Sequence, residues 1–205
     1  MKLIFARHGE VELNKESKFC GHIESSLTEE GIKQKERLRD YFKDYGLTKI
    51  YSSPFLRAYE TELEVGKELN LDVIKNDNLK EICYGSFEGK SKKELKLLKI
   101  WGERESDKFG FMHPESYKSI KGESYENQYK KLSAFLDNII QIEKGTECIL
   151  IVSHIGICKN AMIKFGAFNK EDFSGYDFKN NEIFVVELSD KKIVKFLNHL
   201  IIVTT

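Results

Sequence analysis

The chain has 205 residues, and its 33 basic and 33 acidic side chains leave a formal net charge of zero. This length is typical of one domain with a full core, and the balanced charge argues against a broad surface for nucleic acid or anionic lipid. The four cysteines form no CxxC pair, so we expect reduced thiols, no zinc site and a cytoplasmic location.

The first half of the chain is predicted to alternate strands with helices. Leu3–Ala6 is an apolar run without alternation, as expected of a buried parallel strand, and it ends at Arg7 and His8. The predicted elements are a strand over 3–6, a loop over 11–26, a helix over about 28–46, a strand over 49–53, a helix over about 54–69 and a strand over 71–74.

The second half continues this alternation. Its predicted elements are a loop over 81–89, a charged helix over about 91–101, a polar stretch over 102–121, a long helix over about 124–142, a strand over 147–153, a helix over 156–165 and a terminal strand pair over 182–188 and 193–197, with 200–203 as a further extension. The whole pattern predicts a three-layer α/β/α fold with a mostly parallel sheet. We expect one domain over 1–205, with a lid-like insertion at about 90–122.

Polar side chains follow three of the predicted strands. Arg7-His8 follows the first strand, Ser52-Ser53-Pro54 follows the second and leads to Arg57, and Ser153-His154 follows the fourth. Because the carboxyl ends of parallel strands share one edge of the sheet, these groups are expected to converge. Two arginines and two histidines together predict a phosphate pocket, in which guanidinium groups neutralise oxygens and a neutral imidazole attacks phosphorus.

Each group also has an ordinary interpretation. Arg7-His8 alone suits a strand that ends in a solvated basic pair, and Arg57 suits an exposed helix residue paired with an acid such as Glu60. Asn14 suits a turn, and Ser124 suits a helix cap.

Five motifs occur in a characteristic order along the chain. They are Arg7-His8-Gly9-Glu10 with Asn14, Ser52-Ser53-Pro54-Phe-Leu-Arg57-Ala58-x-x-Thr61, Glu81 before Tyr84-Gly85-x-Phe87-Glu88-Gly89, Gly122-Glu123-Ser124, and Ser153-His154. Together they resemble the histidine phosphatase superfamily, also called phosphoglycerate mutase-like proteins. The spacing from Leu79 to Gly89 most resembles small phosphatases such as α-ribazole phosphatase.

The resemblance implies a role for each matching residue. His8 is the expected nucleophile that becomes phosphorylated, and Glu81 is the expected proton donor to the leaving oxygen. The groups expected to hold the transferring oxygens are Arg7, Arg57, Asn14 and His154. The expected substrate contacts are Asn14, Cys20, Gly21 and Ile155, and neither a metal nor a cofactor is implied.

Some alternatives stay open on the sequence alone. Glu88 and Glu10 compete with Glu81 for the role of proton donor. Three positions depart from the family pattern: Val11 replaces a common hydroxyl residue, Ile155 replaces a small glycine and Lys159 replaces a common arginine.

The motifs therefore predict a metal-independent phosphomonoester hydrolase that acts through a phosphohistidine on a small phosphorylated metabolite. Candidate substrates are α-ribazole phosphate and sugar phosphates. The alternatives are a cofactor-dependent phosphoglycerate mutase and a non-catalytic phospho-ligand binding protein. The mutase is disfavoured because Arg104 is the only arginine between Glu81 and His154.

The expected partner is a small-molecule phosphate ester, and neither nucleic acid nor a membrane is expected. Arg7 interrupts the first apolar run too early for a signal peptide, and Ile149–Val152 is too short to span a bilayer. The oligomeric state cannot be predicted from these patterns.

Overall fold

A computed structural model describes residues 1–97, 120–143, 145–167, 169–170, 173, 175–189 and 192–201. The first strand lies near the middle of its sheet. Within those residues the strands are β1 (Lys2–Arg7), β2 (Lys49–Ser52), β3 (Val73–Lys75), β4 (Cys148–Ser153), β5 (Glu182–Ser189) and β6 (Lys192–Ile201). They form one sheet in the order β3-β2-β4-β1-β5-β6. β3, β2, β4 and β1 are parallel neighbours, whereas β5 is antiparallel to β1 and β6 is antiparallel to β5. The predicted mostly parallel sheet is confirmed.

The α-helices of the described residues are α1 (Glu12–Lys15), α2 (Glu29–Phe42), α3 (Leu56–Leu69), α4 (Lys92–Leu95), α5 (Tyr125–Ile142) and α6 (Ile155–Lys164). Short 3₁₀ helices cover Asp77–Leu79 and Gly85–Phe87. None of the described helices is both long and apolar enough to cross a membrane.

Two helices begin at the capping residues that the sequence suggests. The Thr28 side chain accepts a hydrogen bond from the Gly31 N–H at the start of α2, and the Ser124 side chain accepts one from the Asn127 N–H at the start of α5. A cap of this kind satisfies one of the backbone donors that a helix leaves unpaired, and it typically contributes about 1 kcal/mol. The interpretation of Ser124 as a cap is confirmed.

The sheet separates two apolar cores, as the alternation of side chains along a strand requires. Leu3 and Phe5 of β1 belong to a core that includes residues of α5 and α6. Ile4 and Ala6 point to the opposite face and belong to a core that includes residues of α2 and α3. The predicted three-layer α/β/α arrangement is therefore confirmed.

Several predicted boundaries differ from the structure. The loop predicted over 11–26 contains α1, because the Asn14 side chain accepts a hydrogen bond from the Val11 N–H and so closes a short turn that apolar patterning does not reveal. The third strand begins at Val73 rather than at 71. Within the predicted helix over 91–101, α4 ends at Leu95 and the residues from 98 on lie outside the described part of the chain, as does most of the lid-like insertion at about 90–122. The single domain and the lid stay predictions.

Candidate active site

The strand register brings the three predicted motifs to one edge of the sheet. Arg7 of β1 lies opposite Ser153 of β4, and the His8 N–H donates to the Ser153 carbonyl at 2.9 Å. On the other side of β4, Ser52 lies opposite Val152, and the Ser53 N–H donates to the Val152 carbonyl at 3.1 Å. The segments that follow β1, β2 and β4 therefore begin close together at this edge of the sheet.

A cavity of about 760 Å³ opens at this edge. All nine predicted site residues line it: Arg7, His8, Asn14, Cys20, Gly21, Arg57, Glu81, His154 and Ile155. The structure therefore brings together residues that are spread over most of the sequence. Their contacts decide what chemistry the cavity supports.

His8 presents one ring nitrogen as a free base. Its Nδ1 lies 2.7 Å from the carbonyl oxygen of Gly9, and only a protonated nitrogen can donate to that oxygen. The proton therefore lies on Nδ1, and Nε2 keeps its lone pair. Burial, followed by the charges of Arg57 and Arg7, holds the pKa of His8 well below its ordinary value. The ring stays neutral at physiological pH, as attack on phosphorus requires.

The two arginines are held by backbone carbonyls. Arg7 donates to the Phe178 carbonyl at 2.5 Å, and Arg57 donates to the carbonyls of Gly21 at 2.6 Å and Ile23 at 3.1 Å. Arg57 is not the solvated residue of the ordinary interpretation, because its side chain is buried and its acidic neighbour is Glu24, at 3.9 Å, rather than Glu60. These anchors fix two positive charges beside the cavity.

Some buried polar atoms of the site have no hydrogen-bond partner among the described residues. They include Nε of Arg7, Nε of Arg57 and Nδ1 of His154. A buried donor without a partner is costly unless a ligand meets it, and all three residues line the same cavity. This arrangement suits an anion with several oxygens.

His154 packs beside His8 as an edge-to-face pair. The two ring centroids are 5.1 Å apart, with an interplanar angle of 63°. Nε2 of His154 lies 2.7 Å from the hydroxyl oxygen of Ser53. Burial, Arg57, His8 and Arg7 together hold the pKa of His154 well below its ordinary value, so this ring is also neutral.

Glu81 is fixed by three donors. Its Oε1 accepts hydrogen bonds from the Ile82 N–H at 2.9 Å and from the Gln128 side chain at 3.1 Å, and its Oε2 accepts one from the Gly156 N–H at 3.2 Å. A Cβ on Gly156 would lie only 2.4 Å from Oε1, so a glycine is needed for this close approach. Only 4% of Glu81 is exposed, yet the residue lines the cavity.

The two competing acids have other partners. Glu88 does not line the cavity, and its Oε1 accepts from the N–H groups of Tyr84 and His22, each at 2.9 Å. Glu10 lines the cavity, but its Oε1 accepts from the Thr28 hydroxyl at 2.7 Å, on the side of α2. The geometry favours Glu81 as the proton donor.

The four predicted substrate contacts line the cavity. Asn14 Oδ1 accepts from the Asn180 side chain at 3.3 Å. Gly21 has a φ of 52°, a left-handed conformation that suits glycine, and its carbonyl holds Arg57. Burial raises the pKa of the Cys20 thiol, which argues against a reactive thiolate. Ile155 is the first residue of α6.

Sequence reasoning missed several residues that support the site. Gln128, which donates to Glu81, lies one helical turn before the core residue Leu132. A polar residue on the apolar face of a predicted helix is the sequence signal that could have identified it. Asn180 donates to the His8 carbonyl at 2.8 Å, and the Phe178 carbonyl holds Arg7. No pattern in the sequence indicates those last two contacts. Among the described residues, no cluster of three or more His, Cys, Asp or Glu side chains could hold a metal ion.

Comparison with known proteins agrees with this geometry. The family model described as histidine phosphatase superfamily (branch 1) matches residues 3–199. The chain belongs to the histidine phosphatase superfamily. The predicted family and the predicted enzyme class, a phosphatase, are therefore confirmed.

The relatives of this histidine phosphatase include two proteins named as phosphoserine phosphatases. Phosphoserine phosphatase 1 of Hydrogenobacter thermophilus is 31% identical over 159 residues, which cover 75% of this chain and 71% of the relative. A mutant phosphoserine phosphatase from Entamoeba histolytica in complex with phosphoserine has a TM-score of 0.80 and 26% identity, and the match covers 97% of this chain and 95% of that one.

A third relative shows the fold alone. The α-ribazole phosphatase of Shigella flexneri has a TM-score of 0.83 at 21% identity, and the match covers 97% of this chain and 96% of that one. Named substrates thus differ among proteins that share this architecture.

Proposed function

We propose that this chain is a metal-independent phosphomonoester hydrolase that acts on a small phosphorylated metabolite through a phosphohistidine at His8. The observation that carries this proposal is the Nδ1 contact of His8 with the Gly9 carbonyl, which leaves Nε2 as a neutral base beside two arginines whose Nε atoms are buried. The unpartnered Nε atoms of Arg7 and Arg57 support binding of the phosphoryl oxygens.

The first step forms a bond between Nε2 of His8 and phosphorus and breaks the bond from phosphorus to the ester oxygen. Protonated Glu81 gives its proton to the departing alkoxide, so the alcohol leaves neutral. The developing negative charge on the phosphoryl group is stabilised by Arg7, Arg57 and the Nδ1–H of His154.

The second step uses water as the nucleophile. Ionised Glu81 takes a proton from the water as the water oxygen attacks phosphorus, and the bond from phosphorus to His8 breaks. Inorganic phosphate leaves, and both His8 and Glu81 return to their starting protonation states. Proton and phosphoryl balance therefore need no metal or redox partner.

The substrate is small, because the cavity of about 760 Å³ must also hold the phosphoryl group. Phosphoserine and α-ribazole phosphate are candidate substrates to test because relatives are named for them, and sugar phosphates are candidates from the sequence analysis.

Labelling of His8 tests the proposal directly. Rapid-quench experiments with a ³²P-labelled ester and excess chelator should trap an acid-labile, base-stable phosphoprotein that His8→Ala lacks. Normal turnover by His8→Ala would exclude the mechanism. Interconversion of 3- and 2-phosphoglycerate, primed with 2,3-bisphosphoglycerate, should be much slower than phosphate release, and the reverse result would identify a mutase. Phosphate binding without any turnover would identify a binding protein.

A further inference from the structure

A buried lysine lines the cavity beyond the phosphoryl centre. Lys159 lies on α6, five residues after His154, and only 6% of it is exposed. Because an α-helix rises 1.5 Å per residue, the backbone of Lys159 is about 7.5 Å further along than that of His154. Its place in the cavity suits the end of a short substrate that is remote from the phosphoryl group.

The ammonium group of Lys159 has no acidic partner among the described residues. Its Nζ donates to the Tyr176 carbonyl at 2.6 Å and lies 4.3 Å from the centroid of the Phe173 ring. An ammonium group has three donors, and the carbonyl uses one of them. A buried charge without a counter-ion is unfavourable, so this position is suited to an anion that arrives with a ligand.

The nearby acids are occupied by other groups. Asp177 forms an ion pair with Lys179, and Glu81 accepts the three hydrogen bonds described above. Burial lowers the pKa of Lys159 to about 8, against the opposing effects of Asp177 and Glu81. The positive charges of Lys92 and Arg7 also lower the pKa of Lys159.

We infer that Lys159 binds a carboxylate of the substrate, so that the preferred substrates are short phosphomonoesters of carboxylic acids. This inference rests on the proposed function of the same cavity. A carboxylate fits better than a second phosphate, because the carboxyl groups of Asp177 and Glu81 beside Lys159 repel a dianion more strongly than a monoanion. A neutral substrate would leave the buried ammonium group without an acidic partner among the described residues.

A matched pair of esters tests the inference. D-3-Phosphoglycerate and sn-glycerol 1-phosphate share the same spatial arrangement at C2 and differ only in a carboxylate that replaces a hydroxymethyl group. Wild-type kcat/KM should favour the carboxylate, and Lys159→Met should reduce this preference roughly 10- to 100-fold, as expected when a hydrogen bond between charged groups is lost. Lys93→Met, which removes an exposed charge outside the cavity lining, should keep the preference.

The pH dependence of the wild-type protein provides a second test that needs no variant. The preference should fall roughly fivefold from pH 8 to pH 9 as the free Lys159 loses its proton, and about tenfold for each further pH unit, because the charged fraction is about one half at the pKa and falls tenfold per unit well above it. Both esters share the titration of His8 and of the phosphoryl group, so the ratio isolates the lysine. Lys159→Arg, whose charge does not titrate in this range, should retain more of the preference than Lys159→Met and lose its pH dependence.

The possible failures are distinguishable. Equal wild-type turnover of the two esters, or a preference that survives in Lys159→Met, would overturn the carboxylate assignment while leaving the phosphatase intact. Absence of turnover and of His8 labelling with every ester would overturn the proposed function and the inference that rests on it. A Lys159-dependent preference for fructose 1,6-bisphosphate over fructose 6-phosphate that exceeds the carboxylate preference would assign the lysine to a second phosphate instead.

Discussion

The hydroxyl oxygen of Ser53 lies 2.7 Å from Nε2 of His154. The Phe55 N–H donates weakly to the same hydroxyl, at 3.4 Å, so the hydroxyl proton is available for the imidazole. When Ser53 donates to Nε2, the ring proton of neutral His154 must lie on Nδ1. That atom is the buried one without a partner, so Ser53 makes His154 a hydrogen-bond donor that carries no charge.

Ser53→Ala should therefore weaken catalysis through His154. We expect kcat/KM on p-nitrophenyl phosphate to fall roughly 10- to 100-fold, because a buried imidazole nitrogen loses its partner and the tautomer is no longer fixed. The ¹⁵N shifts of the His154 ring should report protonation at Nδ1 in wild type and a tautomer mixture in the variant. Ser52→Ala, whose hydroxyl contacts the Ser53 carbonyl, is the control. An unchanged tautomer in Ser53→Ala would contradict this account.

Glu81→Gln should separate substrates by their leaving groups. Alkyl phosphates need a proton on the departing oxygen, so their kcat should fall roughly 10²–10⁴-fold, whereas p-nitrophenyl phosphate should lose far less. Glu10→Gln changes another carboxyl of the same cavity and should show no such dependence. If Glu81→Gln slows both substrates equally, Glu81 only shapes the pocket, and Glu10 and Glu88 become the candidates.

Gly156→Ala should displace Glu81 without removing it. The new Cβ would approach Glu81 Oε1 to 2.4 Å and Gln128 Oε1 to 2.7 Å, distances that side chains cannot tolerate. We expect a fall in kcat that is larger for alkyl phosphates than for p-nitrophenyl phosphate, together with a loss of roughly 1–3 kcal/mol of stability from overpacking. Gly145→Ala, which meets no atom within 4 Å, is the matched control. Wild-type kinetics in Gly156→Ala would show that the donor position is not critical.

Glu62 should make the folded protein less stable as the pH rises. It is fully buried on α3, and burial raises the pKa of its carboxyl well above the ordinary value, although the Ser52 hydroxyl and the Val152 backbone partly offset this effect. Neither carboxyl oxygen has a partner with hydrogen-bond geometry in the described part of the chain. Above about pH 4.5 the unfolded chain releases this proton and the folded chain keeps it, so stability is lost with rising pH until the folded pKa is reached.

Glu62→Gln removes that titration. The difference in unfolding free energy between Glu62→Gln and wild type should shift in favour of the variant by about 1.4 kcal/mol per pH unit above pH 5. Urea titrations at several pH values measure this difference. Glu60→Gln, on the exposed side of the same helix, should show no comparable trend. A constant difference for Glu62→Gln would mean that the carboxyl is ionised in the folded state.

The sequence was sufficient for the parts of the site that belong to strand ends. Arg7, His8 and His154 directly follow apolar runs whose burial is unambiguous, so the parallel sheet determines where their backbones lie. Arg57 was predictable because it lies in the first turn of the helix that follows Ser53. The orientation of each side chain was not predictable, because it depends on carbonyls that arrive from elsewhere in the chain.

Two supporting residues illustrate this limit. Asn180 reaches the His8 carbonyl from a segment that precedes β5, and no periodic pattern marks that segment. Gln128 holds Glu81 from α5, although the two are 47 residues apart in sequence. Such contacts depend on how separate elements pack, and local propensity does not encode them. The same holds for α1, which is closed by the Asn14 side chain rather than by an apolar stripe.

The position of β1 between β4 and β5 also constrains how the molecule folds. Lys2 pairs with Cys148 on one side and with Glu187 on the other, so the first strand has both of its partners near the far end of the chain. During synthesis its apolar residues emerge long before either partner exists, and they must be shielded or remain in transient contacts. Such non-local pairing slows folding, because the entropy of closing a large loop is lost before the strand contacts can stabilise the chain. His8 and His154 consequently meet only after nearly the whole polypeptide has left the ribosome, so an interrupted translation product has no assembled centre for phosphoryl transfer.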